Sequence, residues 1–290
     1  MTTIGFVGLG AMGAAIAGRL IDLGGNEVHG TNRTKAKAGP LISQGLRWSD
    51  TPREAAAVAD VVISMVADDA ALSAVADGPD GILAGLRPGS LYIDMSTVSP
   101  QASMELAARV ADAGAAMVDA PVSGSVPAAR DGSLAIMVGG SDMGFSSAEP
   151  VLRQLGSVTH VGGNGHGLLL KLAVNISLAA QMLAFSEGVL LAERGGIDPA
   201  VAAKVMTQSA IGSPMLRARA PLLLDLPKQA WFDVELMHKD IRLARDVGRQ
   251  ERVPLPSAET ADAMLAQAEK AGYGHRDIAG LFEVLVKASG

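Results

Sequence analysis

The sequence predicts an α/β protein: an N-terminal Rossmann-type, doubly wound parallel sheet followed by an all-helical C-terminal domain. Three observations predict it. Up to about residue 162, short β-branched runs alternate with Ala-rich helical segments, the pattern of parallel strands joined by crossover helices. Beyond Gly167 the strand-like runs stop and long helical segments follow. Between the two regimes lies the turn-rich "VGGNGHG". The expected division is therefore 1–162 for a dinucleotide-binding domain and 163–290 for a helical domain that serves substrate binding and dimerisation.

The strand candidates in order are "TIGFVG", "EVHGTN", "VVISMV", "LYIDMS" and "AMVDAP", each of strand length and bounded by turn residues. "SLAIMVGG" and "SVTHVGG" are two further strands expected to close the same sheet. Helical spacing marks 52–59 and 99–112 in the first half, and 168–194, 199–209, 234–251 and 257–271 in the second. No internal repeat or low-complexity tail interrupts this order.

Composition narrows the function classes. Of 290 residues, 49% are hydrophobic and only 3% aromatic, so the core is built from Ala, Val, Leu, Ile and Met. A net charge of −6 argues against nucleic acid or an anionic membrane surface as the main partner. Without cysteine there is no disulfide, zinc thiolate or thiol chemistry, which fits a cytoplasmic setting. The five histidines show no metal-ligand spacing, and no metal is expected. "MTTIGFVGLGAMG" has no basic leader and no cleavage pattern, so no signal peptide is expected.

One stretch approaches membrane hydrophobicity: "GLLLKLAVNISLAAQMLAFSEG", residues 167–188. A bilayer span needs about 20 predominantly apolar residues, and Lys171, Asn175, Gln181 and Glu187 interrupt this one. It reads as the buried helix of a soluble protein, not as a membrane segment. Its lysine then needs an account, because an ammonium removed from water is costly and its pKa falls. Either the stem snorkels to the surface or the charge is used.

"IGFVGLGAMGAAIAGRL" sets Gly8, Gly10 and Gly13 in a G-x-G-x-x-G pattern directly after a strand and at a helix start. The first glycine permits the tight turn, the second lets a pyrophosphate approach the backbone, and the third allows close helix–strand packing. Phosphate charge would face the N–H groups at the helix N-terminus. The second strand selects the cofactor. An NAD site places an acid about 20 residues on, against the ribose 2′-OH; here the strand runs into Asn32, Arg33 and Thr34 with no acid at its end. Arg33 can pair with a 2′-phosphate and stack on adenine, so NADP is the expected cofactor. Met12 in the glycine-rich turn and Met65 after the next strand complete this expected lining.

The motifs "GFVGLGAMG", "DMSTVSP", "DAPVSGS" and "GHGLLLKLAVN" resemble, in order and approximate spacing, those of the β-hydroxyacid dehydrogenases over nearly the whole chain. "APVSGS", "NRT" and "AFSEG" are most similar to the glyoxylate/succinic semialdehyde reductase branch. The resemblance implies a role for each matching residue. Thr97 would lie near both nicotinamide and substrate, and Ser123 with the backbone of Gly124 would bind the substrate carboxylate. Lys171 would be the catalytic lysine and Asn175 its catalytic-site neighbour. Lys239 would approach the cofactor and Asp240 the substrate, while Phe232 would cover the pocket. Two departures bear on the substrate: Val174 stands where many members have a first asparagine, and Ser125 replaces the commoner glycine.

Hydride transfer between nicotinamide C4 and a carbonyl leaves negative charge on oxygen, and that oxygen must gain or lose a proton. A lysine in an apolar wall suits the task, because desolvation draws its pKa toward neutrality. Asn175, four residues on, shares its helical face. The expected activity interconverts a small carboxylate-bearing aldehyde and its hydroxy acid. The rivals are an imine reductase, whose family usually has aspartate or tyrosine at the position of Lys171, and a non-catalytic dehydrogenase-like binding protein. The 6-phosphogluconate type fits less well, since no arginine cluster for a substrate phosphate is evident. Lys239 and Asp240 also have a plain reading as a solvated helix face. The long apolar helix leads to the expectation of a homodimer or homotetramer.

Overall fold

The computed structural model describes residues 1–289. Its nine strands are β1 (Thr2–Val7), β2 (Asn26–Thr31), β3 (Arg47–Trp48), β4 (Val61–Ser64), β5 (Leu91–Asp94), β6 (Ala116–Asp119), β7 (Val122–Ser123), β8 (Leu134–Gly139) and β9 (Gly156–Gly162). They form one sheet of order β3-β2-β1-β4-β5-β6-β8-β7, with β9 paired to β8. The first six in that order are parallel throughout, the order of a doubly wound dinucleotide-binding sheet. β8 runs antiparallel to β6 and β7 and parallel to β9.

Both faces of the sheet are buried, as parallel sheets require. Side chains alternate across each strand. Ile4 and Phe6 of β1, Ile63 of β4, Ile93 of β5 and Val118 of β6 enter one core. Val7, Val62, Tyr92 and Met117 enter the other, with Leu106, Val110 and Leu168. This accounts for the continuous apolar runs that marked these strands in the sequence.

The chain forms two compact units, Met1–Lys171 and Leu172–Gly290. The division falls inside a single helix, His166–Arg194, a few residues beyond the turn-rich segment at which the sequence suggested it. The first turn of that helix belongs with the sheet because Leu168 is buried in its core. Among the described residues no strand follows Gly162; beyond it the pairing is limited to an isolated bridge between Asp233 and Asp277.

The second unit is helical: His166–Arg194 continues into it, followed by Pro199–Gln208, Pro214–Leu224, Val234–Gln250, Pro256–Lys270 and Leu281–Ala288. Side-chain caps define the starts of Pro199–Gln208, Pro214–Leu224 and Val234–Gln250, where Asp198, Ser213 and Asp233 accept backbone N–H bonds, each worth about 1 kcal/mol. The helix His166–Arg194 is long and apolar enough to cross a membrane. Its Ala179, Met182, Phe185 and Val189 are instead packed in the core of the helical unit with Leu216, Met237, Ile241 and Leu265.

Candidate functional site

Strand register sets Thr31, Val7, Ser64, Asp94 and Asp119 in one row across the carboxyl ends of β2, β1, β4, β5 and β6. Ligands of doubly wound sheets bind outside this edge. Gly8, Gly10, Met12, Gly13, Asn32, Arg33, Thr34, Met65 and Thr97 all follow strands of this row, so the first unit gathers these expected cofactor residues along one edge; Lys239, the remaining one, lies in the helical unit.

The three fingerprint glycines are glycine for different reasons. Gly8 has φ +97, and a Cβ there would lie 2.3 Å from the Met65 carbonyl oxygen. A Cβ on Gly13 would lie 2.0 Å from the Gly8 oxygen. A Cβ on Gly10 would meet nothing within 4 Å; it would instead fill the space over the helix N-terminus. That helix, Ala11–Asp22, has no side-chain cap and no acid in its first turn, so its leading N–H groups and positive dipole end suit an anionic group. These features fit the pyrophosphate of a nicotinamide dinucleotide.

Asn32 explains the missing acid. Its Oδ1 accepts the Leu9 N–H at 3.1 Å and its Nδ2 donates to the Thr34 carbonyl at 3.1 Å. The side chain that follows the second strand is thus turned inward onto the glycine-rich turn. Arg33, exposed, is the first charged side chain beyond it.

Two buried carboxylates that the sequence reading did not single out organise the other strand ends. Asp94, fully buried, accepts from Ser64 Oγ at 2.6 Å, Ser96 Oγ at 2.7 Å and Ser96 N–H at 3.2 Å. Ser96 Oγ in turn accepts the Val66 N–H at 2.9 Å. The network fixes the loop carrying half-buried Thr97 beside the one carrying Met65. Burial, then the Asp94 charge, pushes the Tyr92 phenol well above its ordinary range. Asp119, also fully buried, accepts the Gly165 N–H at 2.6 Å and the Leu168 N–H at 3.0 Å. Burial raises its carboxyl to about 6, against the lowering effect of those bonds. In both cases the available signal was an acid closing an otherwise apolar run, in "LYIDMS" and "AMVDAP".

Ser123 lies on β7, four residues past Asp119, and Gly124 follows with φ +138. A Cβ on Gly124 would be 2.7 Å from Leu134 Cδ2, so the turn exposing its backbone requires glycine. Ser125 holds the N-cap position of the next helix without a side-chain cap bond. Lys171 is only 8% exposed, three residues beyond the Leu168 amide held by Asp119.

In the helical unit the structure joins Asn175, Asp240 and Lys239. Asn175 is fully buried and donates from Nδ2 to Asp240 Oδ2 at 2.6 Å. Lys239 Nζ is 3.0 Å from Asp240 Oδ1. Asp240 is 2% exposed, so a solvated helix face does not describe this pair. The neighbouring His238 is buried between Asp262 and Glu269 at 3.2 and 2.9 Å, a tie between two helices. Phe232 is packed against the core of the helical unit, its N–H and that of Trp231 held by Asp277 Oδ2 at 3.2 and 2.9 Å.

A doubly wound sheet with this fingerprint, followed by a helical domain, defines an oxidoreductase of the nicotinamide-dinucleotide class. Residues 3–163 match the family model for the NAD binding domain of 6-phosphogluconate dehydrogenase, and 165–285 match that for the NAD-binding of NADP-dependent 3-hydroxyisobutyrate dehydrogenase. The chloroplastic glyoxylate/succinic semialdehyde reductase 2 of Arabidopsis thaliana is 34% identical over 287 residues, 99% of this chain and 80% of that one. The 3-hydroxyisobutyrate dehydrogenase of Pseudomonas aeruginosa is 36% identical over 256 residues, 84% of each chain. The crystal structure of a 3-hydroxyisobutyrate dehydrogenase from Salmonella typhimurium superposes with a TM-score of 0.90 at 30% identity, covering 98% of this chain and 100% of that one. The chain belongs to the β-hydroxyacid dehydrogenase family, enzymes that act with NAD(P) on small hydroxy acids and their carbonyl counterparts.

Proposed function

We propose that this protein is an NADP-dependent semialdehyde reductase or 3-hydroxy acid dehydrogenase, with Lys171 as the general acid/base. The observation that carries the reading is a lysine 8% exposed on an apolar helix. A snorkelling lysine carries its head out into water, and at 8% exposure this residue leaves little of itself there. The dinucleotide, when bound, supplies or accepts the hydride. Lys171 Nζ gives a proton to the carbonyl oxygen during reduction and removes it from the hydroxyl during oxidation. Ser123 Oγ and the Gly124 backbone hold the substrate carboxylate, and Thr97 borders the reacting carbon. Asp240 orients the Asn175 amide through their 2.6 Å bond.

The chemistry of these handles defines the test. Loss of NADPH absorbance is followed for glyoxylate and for succinic, methylmalonate and tartronate semialdehydes, each against its amide or methyl ester. The free acids are expected to be reduced at least 10-fold more efficiently, from loss of charge-assisted hydrogen bonds. Esters turned over as well as acids would overturn the carboxylate assignment.

Support for NADP is the exposed Arg33 beyond a strand end that bears no acid, together with the match to an NADP-dependent family model. Arg33→Asp is expected to weaken NADPH binding 10- to 100-fold while changing NADH binding less than threefold, because it replaces a 2′-phosphate pair with repulsion. Fluorescence titration of both cofactors checks it; equal losses, or a wild type preferring NADH, refute the assignment. We also propose a homodimer or homotetramer, on the strength of Leu191, Val201 and Val205, which are 77, 53 and 60% exposed in the helical unit.

A further inference from the structure

We propose that Asp119 is a positioning residue that holds the helix carrying Lys171 against the strand leading to Ser123, and so sets the spacing of the two groups that act on the substrate. The inference rests on the roles proposed above for Lys171 and Ser123.

A single carboxylate joins the two segments. Asp119 ends β6, and the chain passes through Ala120, Pro121 and Val122 into Ser123. The strand side is fixed: Ala120 N–H donates to the Asp94 carbonyl at 2.7 Å, and Met137 N–H donates to the Pro121 carbonyl at 3.1 Å. On the helix side each Asp119 oxygen takes one amide, Oδ1 from Gly165 and Oδ2 from Leu168. Leu168 lies three residues before Lys171, so the bond acts within one turn of the lysine. Asn164 adds a second tie from its Nδ2 to the Met117 carbonyl at 2.9 Å.

The recess is fitted to a carboxylate. A Cβ on Gly139 would fall 2.6 Å from Asp119 Oδ1, and one on Gly167 would fall 2.7 Å from Oδ2. Two glycines thus leave room for this one group. A serine or asparagine caps a helix without bringing a charge into the interior, whereas a buried carboxylate carries a desolvation penalty. The rise of its pKa to about 6 shows that penalty. What the carboxylate provides and a neutral cap does not is a pair of acceptors, one for each amide. An asparagine would turn an NH₂ group toward one of those N–H donors.

The test is a double-mutant cycle on the full chain, with Asp119→Asn and Lys171→Met made singly and together and assayed near pH 8. The best-reduced semialdehyde and NADPH are the probes. Asp119→Asn is expected to lower kcat about 10- to 100-fold, the scale of a displaced catalytic group, with KM changed less than threefold. NADPH affinity, read by fluorescence, should stay within twofold. In the Lys171→Met background the same change should have no further effect, because a residue that acts through the lysine has nothing left to position. A kcat within twofold of wild type, or an equal loss in the Lys171→Met background, overturns the proposal and leaves the Lys171 reading standing. Wild-type turnover by Lys171→Met overturns that reading itself, and this inference with it. If Asp119→Asn does not fold, Asn164→Ala takes its place in the cycle. A two- to fivefold loss of kcat confined to the Lys171 background supports the proposal, and no loss refutes it.

Discussion

Lys171→Met is expected to lower turnover by about 10²- to 10⁴-fold, the usual range for a lost general acid or base. Folding and NADPH affinity should stay close to wild type, because the lysine is not proposed to grip the cofactor. The substitution keeps the long unbranched stem at a position only 8% exposed and removes the charge. Replacing a buried ion with an apolar group is often neutral or stabilising, so the melting temperature should hold or rise. Lys171→Arg should not rescue, since a guanidinium keeps its proton near neutral pH. Stopped-flow or steady-state NADPH oxidation at saturating substrate reads the result. A Lys171→Met enzyme at the wild-type rate would return the residue to a packing role.

The largest effect on stability is expected from Asp277→Ala. Asp277 is fully buried in the helical unit and pairs with Arg219, itself 6% exposed, at 2.5 Å. It also accepts three backbone N–H bonds, from Trp231, Phe232 and Ala279. Truncation strands a buried guanidinium and three amides at once. Breaking a buried pair by removing one partner costs about 3–5 kcal/mol, and a loss of that size lowers the melting temperature by about 10 °C or more. Differential scanning calorimetry should show the loss, and pairing Asp277→Ala with Arg219→Met should recover part of it. A shift under 2 °C would mean that solvent reaches the pair and that the bonds to residues 231 and 232 contribute little.

The parallel sheet could be read in the sequence because its strands are buried on both faces and so appear as continuous apolar runs between turn residues. β3 and β7 escaped notice: at two residues each they are too short for any periodicity, and only neighbouring strands define them. The reversed direction of β8 is equally silent, since a buried strand reads the same either way. Pro214–Leu224 was hidden by its interior Pro221 and by Arg217 and Arg219, and the burial of Arg219 depends on Asp277, distant in sequence. Gly8, Gly10, Gly13 and Lys171 stood out because their residue types conflict with their surroundings. Asp94 and Asp119 conflict with theirs just as sharply, but an acid at a strand end also passes for the start of a polar loop, and only the three-dimensional arrangement shows what each one binds.

The glycine-rich turn has a consequence for how variation at this edge would be recognised. Gly8 and Gly13 are hemmed in by backbone carbonyls at 2.3 and 2.0 Å, so a side chain at either position disturbs the fold before any ligand arrives. A mutational scan scored by cellular abundance would flag both. Gly10, with φ −71 and no atom within 4 Å of an added Cβ, would pass that scan unnoticed. An alanine there is expected to leave an intact, abundant protein and, if the turn receives a pyrophosphate as its fingerprint implies, to show its defect only when phosphate must approach. Population surveys that rank variants by stability would therefore rate as harmless the one fingerprint substitution that separates folding from cofactor capture.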